Sequence, residues 1–106
     1  MRVIFACGGT AGHIYPAIAV ANEIKRRDPS AEIIFVGAKG KMETELVPRE
    51  GYKIETVEIS GFSRKKNFAG LKHNLKTLRN ISASRRQAKK ILSDFMPDVV
   101  VGTGGY

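Results

Sequence analysis

Hydrophobic and polar positions change period along this chain, and each change marks an element. Residues 3–7, "VIFAC", are a continuous apolar run with β-branched and aromatic side chains, which predicts a buried strand. A glycine-bearing loop follows. Pro16 then suits the first turn of a helix, where its missing N–H costs nothing. Ala17, Ile18, Val20, Ala21 and Ile24 recur at helical spacing and carry that helix to "RRDP". "EIIFVG", residues 32–37, is a second buried strand, and "METELVPREG" is a short helix stopped around Pro48. "YKIETVEI", residues 52–59, alternates and predicts a third strand. "SGFSRKKNFAG" is a basic loop, Leu71–Phe95 a long helix, and "PDVVVG" a fourth strand before the final "TGGY".

Apolar strands alternating with helices predict an α/β domain with a Rossmann-like parallel sheet. In such sheets ligands bind beyond the carboxyl ends of the strands, where the strand order reverses. With the order 3-2-1-4, the glycine loops after strands one and four lie side by side and form one site. "GTGGY" reads as the entry to a further helix. The expectation is therefore a fragment of a longer protein, or a domain that needs a partner.

Composition changes this picture at one point. The 106 residues suffice for one small domain, and no apolar run is long enough to span a bilayer, so the expectation is a soluble, unexported chain. A single cysteine, Cys7, fits a reducing compartment. The formal net charge is +8, and it is not evenly spread. Residues 59–93 hold ten Lys/Arg and no Asp or Glu, so the whole excess sits in that segment. An anionic partner is implied: a membrane surface, a nucleic acid or a phosphate ligand.

The first loop, "CGGTAGHIYP", is the candidate for chemistry. A strand, a glycine loop and a helix start together expose free backbone N–H groups and the positive end of a helix, which suits phosphate or diphosphate. Cys7, Gly9 and Gly12 occupy the glycine positions of a dinucleotide fingerprint, so two of three match. The acidic residue expected after the second strand is absent. Lys39 and Lys41 stand near there and suit a 2′-phosphate, which keeps an NADP-dependent oxidoreductase as an alternative. A P-loop is excluded, because no GK[ST] follows. His13 stands beside the glycines and suits a general base. Its plainer role is a hydrogen bond that closes the loop.

On a wheel of about 100° per residue, the long helix has three faces. Ile81, Ala88, Ile91, Leu92 and Phe95, with Ser84 among them, form the expected core face. Leu71, Leu75 and Leu78 point elsewhere, beside a stripe of Lys72, Lys76, Arg79, Arg86 and Lys90. Leucines edged by cations suit an anionic membrane surface, with Phe62 and Phe68 able to join them. Alternatively the helix breaks near Asn74 or Asn80 and the leucines pack under the basic loop. Nucleic acid is disfavoured, since the segment has no Tyr or Trp for base stacking.

"GGTAGHIYPA", the basic leucine-bearing helix and "PDVVVGTGGY", in this order, resemble the MurG family of bacterial cell-wall N-acetylglucosaminyltransferases, over essentially the whole chain. One departure is Ala11, where many members have glycine. The resemblance implies the N-terminal, acceptor-binding half of a GT-B type glycosyltransferase, truncated after the fourth strand, with the donor-binding C-terminal domain absent. It implies inverting transfer of GlcNAc from UDP-GlcNAc to a muramoyl-pentapeptide diphospho-undecaprenol acceptor, at the cytoplasmic face of the cell membrane. It implies neither a cofactor nor a protein-held metal. By resemblance, Gly9, Thr10, Ala11, Gly12, Gly104, Gly105 and Tyr106 meet the acceptor, and His13 is the base. Phe68, Leu71, Lys72, Leu75, Lys76, Leu78 and Arg79 become the membrane contact. A further alternative is a non-catalytic anchoring subunit of a split transferase.

Overall fold

A computed structural model describes residues 1–58 and 83–105. Within them the elements run β1 (Arg2–Cys7), α1 (Ala11–Arg27), β2 (Glu32–Ala38), α2 (Glu43–Arg49), β3 (Lys53–Val57), a helix over residues 83–95, here α3, and β4 (Val99–Gly104). The four strands form one parallel sheet in the order β3-β2-β1-β4. The expected α/β class is observed, and the strand order is the one that places the two glycine loops side by side.

Side-chain alternation along the strands assigns the two faces. Val3, Phe5 and Cys7 of β1 and Ile33 and Phe35 of β2 point to the face covered by α1 and α2. Ile14, Ala17, Ile18 and Ala21 of α1 and Val47 of α2 complete that core, and all are buried. Phe5 and Phe35 are register partners, with rings stacked 5.2 Å apart. Each such side chain contributes about 1.5–3 kcal/mol by leaving water.

Helix α3 packs over part of the opposite face. Ala83, Ser84, Gln87, Ala88, Ile91 and Phe95 are its half-buried residues. The Arg2 guanidinium lies 4.3 Å from the Phe95 ring centroid, and its Nε donates to the Phe95 carbonyl at 2.6 Å. Leu92 corrects the expected core face, being 45% exposed. Gln87 takes a core-side place instead, because its Oε1 accepts the Glu58 N–H at 2.8 Å. The first half of the expected long helix lies outside the described residues.

Helix α1 begins earlier than its proline suggests. It starts at Ala11, so Pro16 is its sixth residue rather than part of the first turn. Pro16 has no N–H for the Gly12 carbonyl one turn back, and the helix tolerates that loss near its start. The consequence is functional: Gly12 and His13 belong to the first turn. Among the described residues no helix is long and apolar enough to cross a membrane.

Candidate functional site

Strand order reverses between β1 and β4, and the loops leaving these two strands meet. The first loop turns at Gly9, whose φ of +87° is left-handed and favours glycine. Thr10 follows in extended conformation as the N-cap of α1. Its carbonyl accepts the His13 and Ile14 N–H groups at 3.1 and 3.2 Å. The Ala11 and Gly12 N–H groups precede those bonds, so they are the free donors of the helix start. The first turn carries no acidic residue, whereas Lys25, Arg26 and Arg27 crowd the last turn. The positive end of the helix is thus left for an anion from outside.

Thr10 makes no side-chain cap bond. Its Oγ1 lies instead 3.1 Å from His13 Nδ1, and the same Nδ1 lies 3.2 Å from the Gly8 carbonyl. His13 is half-buried. Nδ1 is therefore engaged within the loop.

The second loop closes on the first. The register slips between Ala6 and Cys7, which pair with Gly102 and Gly104, so Thr103 is the extra residue of a bulge. Bulges re-aim side chains. Here Thr103 Oγ1 donates to the His13 carbonyl at 2.7 Å. Gly104 and Gly105 have φ of +108° and +122°. A Cβ on Gly104 would lie 2.8 Å from His13 Cδ2, and one on Gly105 would lie 2.2 Å from the Gly8 carbonyl oxygen. The two glycines therefore let the second loop lie directly against His13 and Gly8. A cavity of about 310 Å³, lined by Ala6, Cys7, Val36, Gly37, Val57, Gly102 and Gly104, adjoins this edge of the sheet.

Behind the first loop lies a fully buried carboxylate, Glu43. Oε1 accepts the Gly9 N–H at 3.3 Å, and Oε2 accepts the Ala38 N–H at 3.0 Å. Gly37 provides the room, since a Cβ there would sit 2.5 Å from Glu43 Cγ. Burial, and secondarily the nearby Glu43 charge, push the Cys7 thiol up to about 11. Cys7 is thereby a packing residue and a poor nucleophile at neutral pH.

Residues 3–106 match the glycosyltransferase family 28 N-terminal domain. The chain belongs to this family. Two relatives named UDP-N-acetylglucosamine–N-acetylmuramyl-(pentapeptide) pyrophosphoryl-undecaprenol N-acetylglucosamine transferase illustrate the likeness. The one from Caldanaerobacter subterraneus is 52% identical over the full chain, and the one from Clostridioides difficile is 47% identical. This chain spans 28% and 25% of their lengths. Among solved structures, Acinetobacter baumannii MurG superposes with a TM-score of 0.74 at 24% identity, covering 99% of this chain and 28% of its own. The calicheamicin glycosyltransferase CalG4 superposes with a TM-score of 0.62 at 25% identity, covering 95% and 26%.

Within this family 28 domain, the structure gathers Gly9, Thr10, Ala11, Gly12, His13, Gly104 and Gly105 at one point. Tyr106 lies outside the described residues. So do Phe68, Leu71, Lys72, Leu75, Lys76, Leu78 and Arg79, the expected membrane contacts. Lys39, weighed for a nucleotide phosphate, lies 3.6 Å from Glu58. Neither the NADP-binding alternative nor the anchoring-subunit alternative gains support from the family. Among the described residues no cluster of three or more His, Cys, Asp or Glu side chains could hold a metal ion. Neither Glu43 nor Thr103 stands out in the sequence as a site residue. Glu43 reads locally as an ordinary helix residue, and its loop partner lies 34 positions away.

Proposed function

We propose that residues 1–106 are the acceptor-binding part of an inverting N-acetylglucosaminyltransferase. The donor would be UDP-GlcNAc, held by a C-terminal domain of the longer protein. The acceptor would be the N-acetylmuramyl-pentapeptide diphospho-undecaprenol lipid. The names of the relatives supply donor and acceptor. One observation on this chain carries the reading: His13 and the uncompensated start of α1 sit between two glycine loops at the switch point.

The chemistry follows from those groups. The acceptor diphosphate takes hydrogen bonds from the free N–H groups of Ala11 and Gly12, aided by the Thr10 hydroxyl and the helix dipole. Bare Gly104 and Gly105 let the second loop close against His13 and Gly8, which brings both loops to the acceptor. With Nδ1 engaged in the loop, His13 Nε2 accepts the proton of the acceptor sugar 4-hydroxyl. The freed oxygen attacks the anomeric carbon of GlcNAc. The bond from that carbon to the UDP oxygen breaks, UDP departs with the electron pair, and the configuration inverts.

The basic segment, residues 59–93, would hold the protein at the anionic cytoplasmic leaflet, where each Lys or Arg near the surface adds about 1 kcal/mol. Changing Leu75 and Leu78 to Ser should weaken binding to phosphatidylserine vesicles while the circular dichroism spectrum stays unchanged. Loss of the fold would make them core residues.

The test of the reaction uses the full-length protein with UDP-GlcNAc and a soluble acceptor analogue. His13→Ala should lower kcat by about 10²–10⁴-fold and leave the acceptor KM within about threefold. Undiminished turnover would remove His13 from the chemistry. No GlcNAc transfer by the unaltered protein would overturn the function itself.

A further inference from the structure

The Gly8–Gly9 peptide group is gripped at both ends. Its N–H, on Gly9, donates to Glu43 Oε1 at 3.3 Å. Its C=O, on Gly8, lies 3.2 Å from His13 Nδ1. We propose that Glu43 is a positioning residue that acts through this single peptide group to keep the His13 proton on Nδ1 and the lone pair on Nε2. The proposal rests on the reading of His13 as the base, and it gives that base its working tautomer.

Three observations support it. First, a carbonyl oxygen only accepts hydrogen bonds. The contact from Nδ1 to the Gly8 carbonyl is therefore a bond only when Nδ1 carries the proton. Thr10 Oγ1, 3.1 Å from the same nitrogen, can adapt to either tautomer by rotating its hydroxyl. The carbonyl cannot, so the carbonyl decides. Second, Gly8 is buried, and the Gly105 backbone lies so close that a Cβ would come within 2.2 Å of the Gly8 oxygen. A buried carbonyl needs a donor, and among the described residues His13 supplies it.

Third, Glu43 is fully buried, and its two oxygens accept from two different segments, the glycine loop and the end of β2 at Ala38. It fixes the plane of the Gly8–Gly9 peptide relative to the sheet. Negative charge at the N–H end also polarises the peptide and makes its carbonyl a stronger acceptor. The resulting chain is carboxylate, peptide, imidazole. A metal-bound or catalytic histidine often has its tautomer set by a carboxylate or carbonyl on its second nitrogen. Here a carboxylate does so with a peptide in between. Gly37 belongs to the device, because any side chain there would push Glu43 off its seat.

The test reads the tautomer by imidazole ¹⁵N chemical shifts in this chain at a pH where His13 is neutral, with no ligand present. Failure here therefore leaves the transferase reading standing, and failure of turnover leaves the tautomer result itself unchanged. In the unaltered chain the Nδ1–H form should dominate by about tenfold, the effect of one hydrogen bond. The Gly9 amide, though on an exposed residue, should exchange with solvent at least about tenfold more slowly than an open-loop amide. Glu43→Gln keeps the shape but offers one carbonyl oxygen to two N–H groups. It should bring the two tautomers near parity, and Glu43→Asp should restore part of the bias. Dominance of the Nε2–H form in the unaltered chain would overturn the proposal. So would an unprotected Gly9 amide, or a folded Glu43→Gln chain with an unchanged tautomer ratio. The first two readouts decide the matter even where the substituted chains fail to fold.

Discussion

On one face of the sheet Val3, Phe5 and Phe35 are wholly excluded from water beneath α1 and α2. On the other, α3 lies over a cavity of about 440 Å³ lined partly by charged side chains, among them Arg2, Lys53, Glu55, Lys90 and Asp94. The elements that position the site, β1, α1 and α2, belong to the sealed face. His13 sits one residue before buried Ile14, and Glu43 is fixed at the start of α2. The difference teaches that the site is anchored to the part of the molecule least able to relax. Substitutions on the two faces should therefore differ in kind as well as size.

The largest contrast is in packing. Phe35→Ala should destabilise the chain by about 3–5 kcal/mol in urea unfolding, because the sealed face cannot collapse around the gap. Ile91→Ala on the half-buried α3 should cost about 1 kcal/mol, since its surroundings are already open. Equal losses would break the comparison.

A smaller contrast separates two glycines of the second loop region. Gly105→Ala demands φ near +122° from a residue with a Cβ and drives that Cβ into the Gly8 oxygen. It should cost about 2–3 kcal/mol and shift the His13 imidazole resonances. Gly102→Ala meets nothing within 4 Å and should stay within about 0.5 kcal/mol.

A pH-dependent effect sharpens the role of the sealed face. Folding holds the Cys7 thiol protonated up to about 11, whereas its unshifted value is 9.0. The folded state thus keeps a proton that the unfolded chain has lost. The contribution is fully present below pH 9.0 and is lost as the pH rises towards 11. It should be seen as a narrowing stability difference between the unaltered chain and Cys7→Ala, at most about 3 kcal/mol for a pKa raised from 9.0 to about 11. A difference that stays constant over that window would mean the thiol is accessible to water.

Much of this was legible because it is local. Apolar runs marked three strands and alternation marked the third in chain order, and the observed β3-β2-β1-β4 order is the one under which the two glycine loops share a switch point. Pro16 misled the helix start, because proline preference for a first turn is weaker than the pull of Ile14, Ala17 and Ile18 into the core. Leu92 misled the core face, because periodicity cannot tell that Gln87 has a backbone partner at Glu58. Glu43 was invisible for a related reason. Its meaning depends on Gly9, Ala38 and the space left by Gly37, which only the folded sheet brings together.

The most direct test of the two-loop site is an amide NMR titration of this chain with a water-soluble, short-chain analogue of the diphosphate-lipid acceptor, with NADPH as a parallel control. The acceptor analogue alone should shift the amides of Ala11, Gly12, His13, Gly104 and Gly105. Shifts of those amides with NADPH alone would contradict the acceptor site and assign the loops to a dinucleotide.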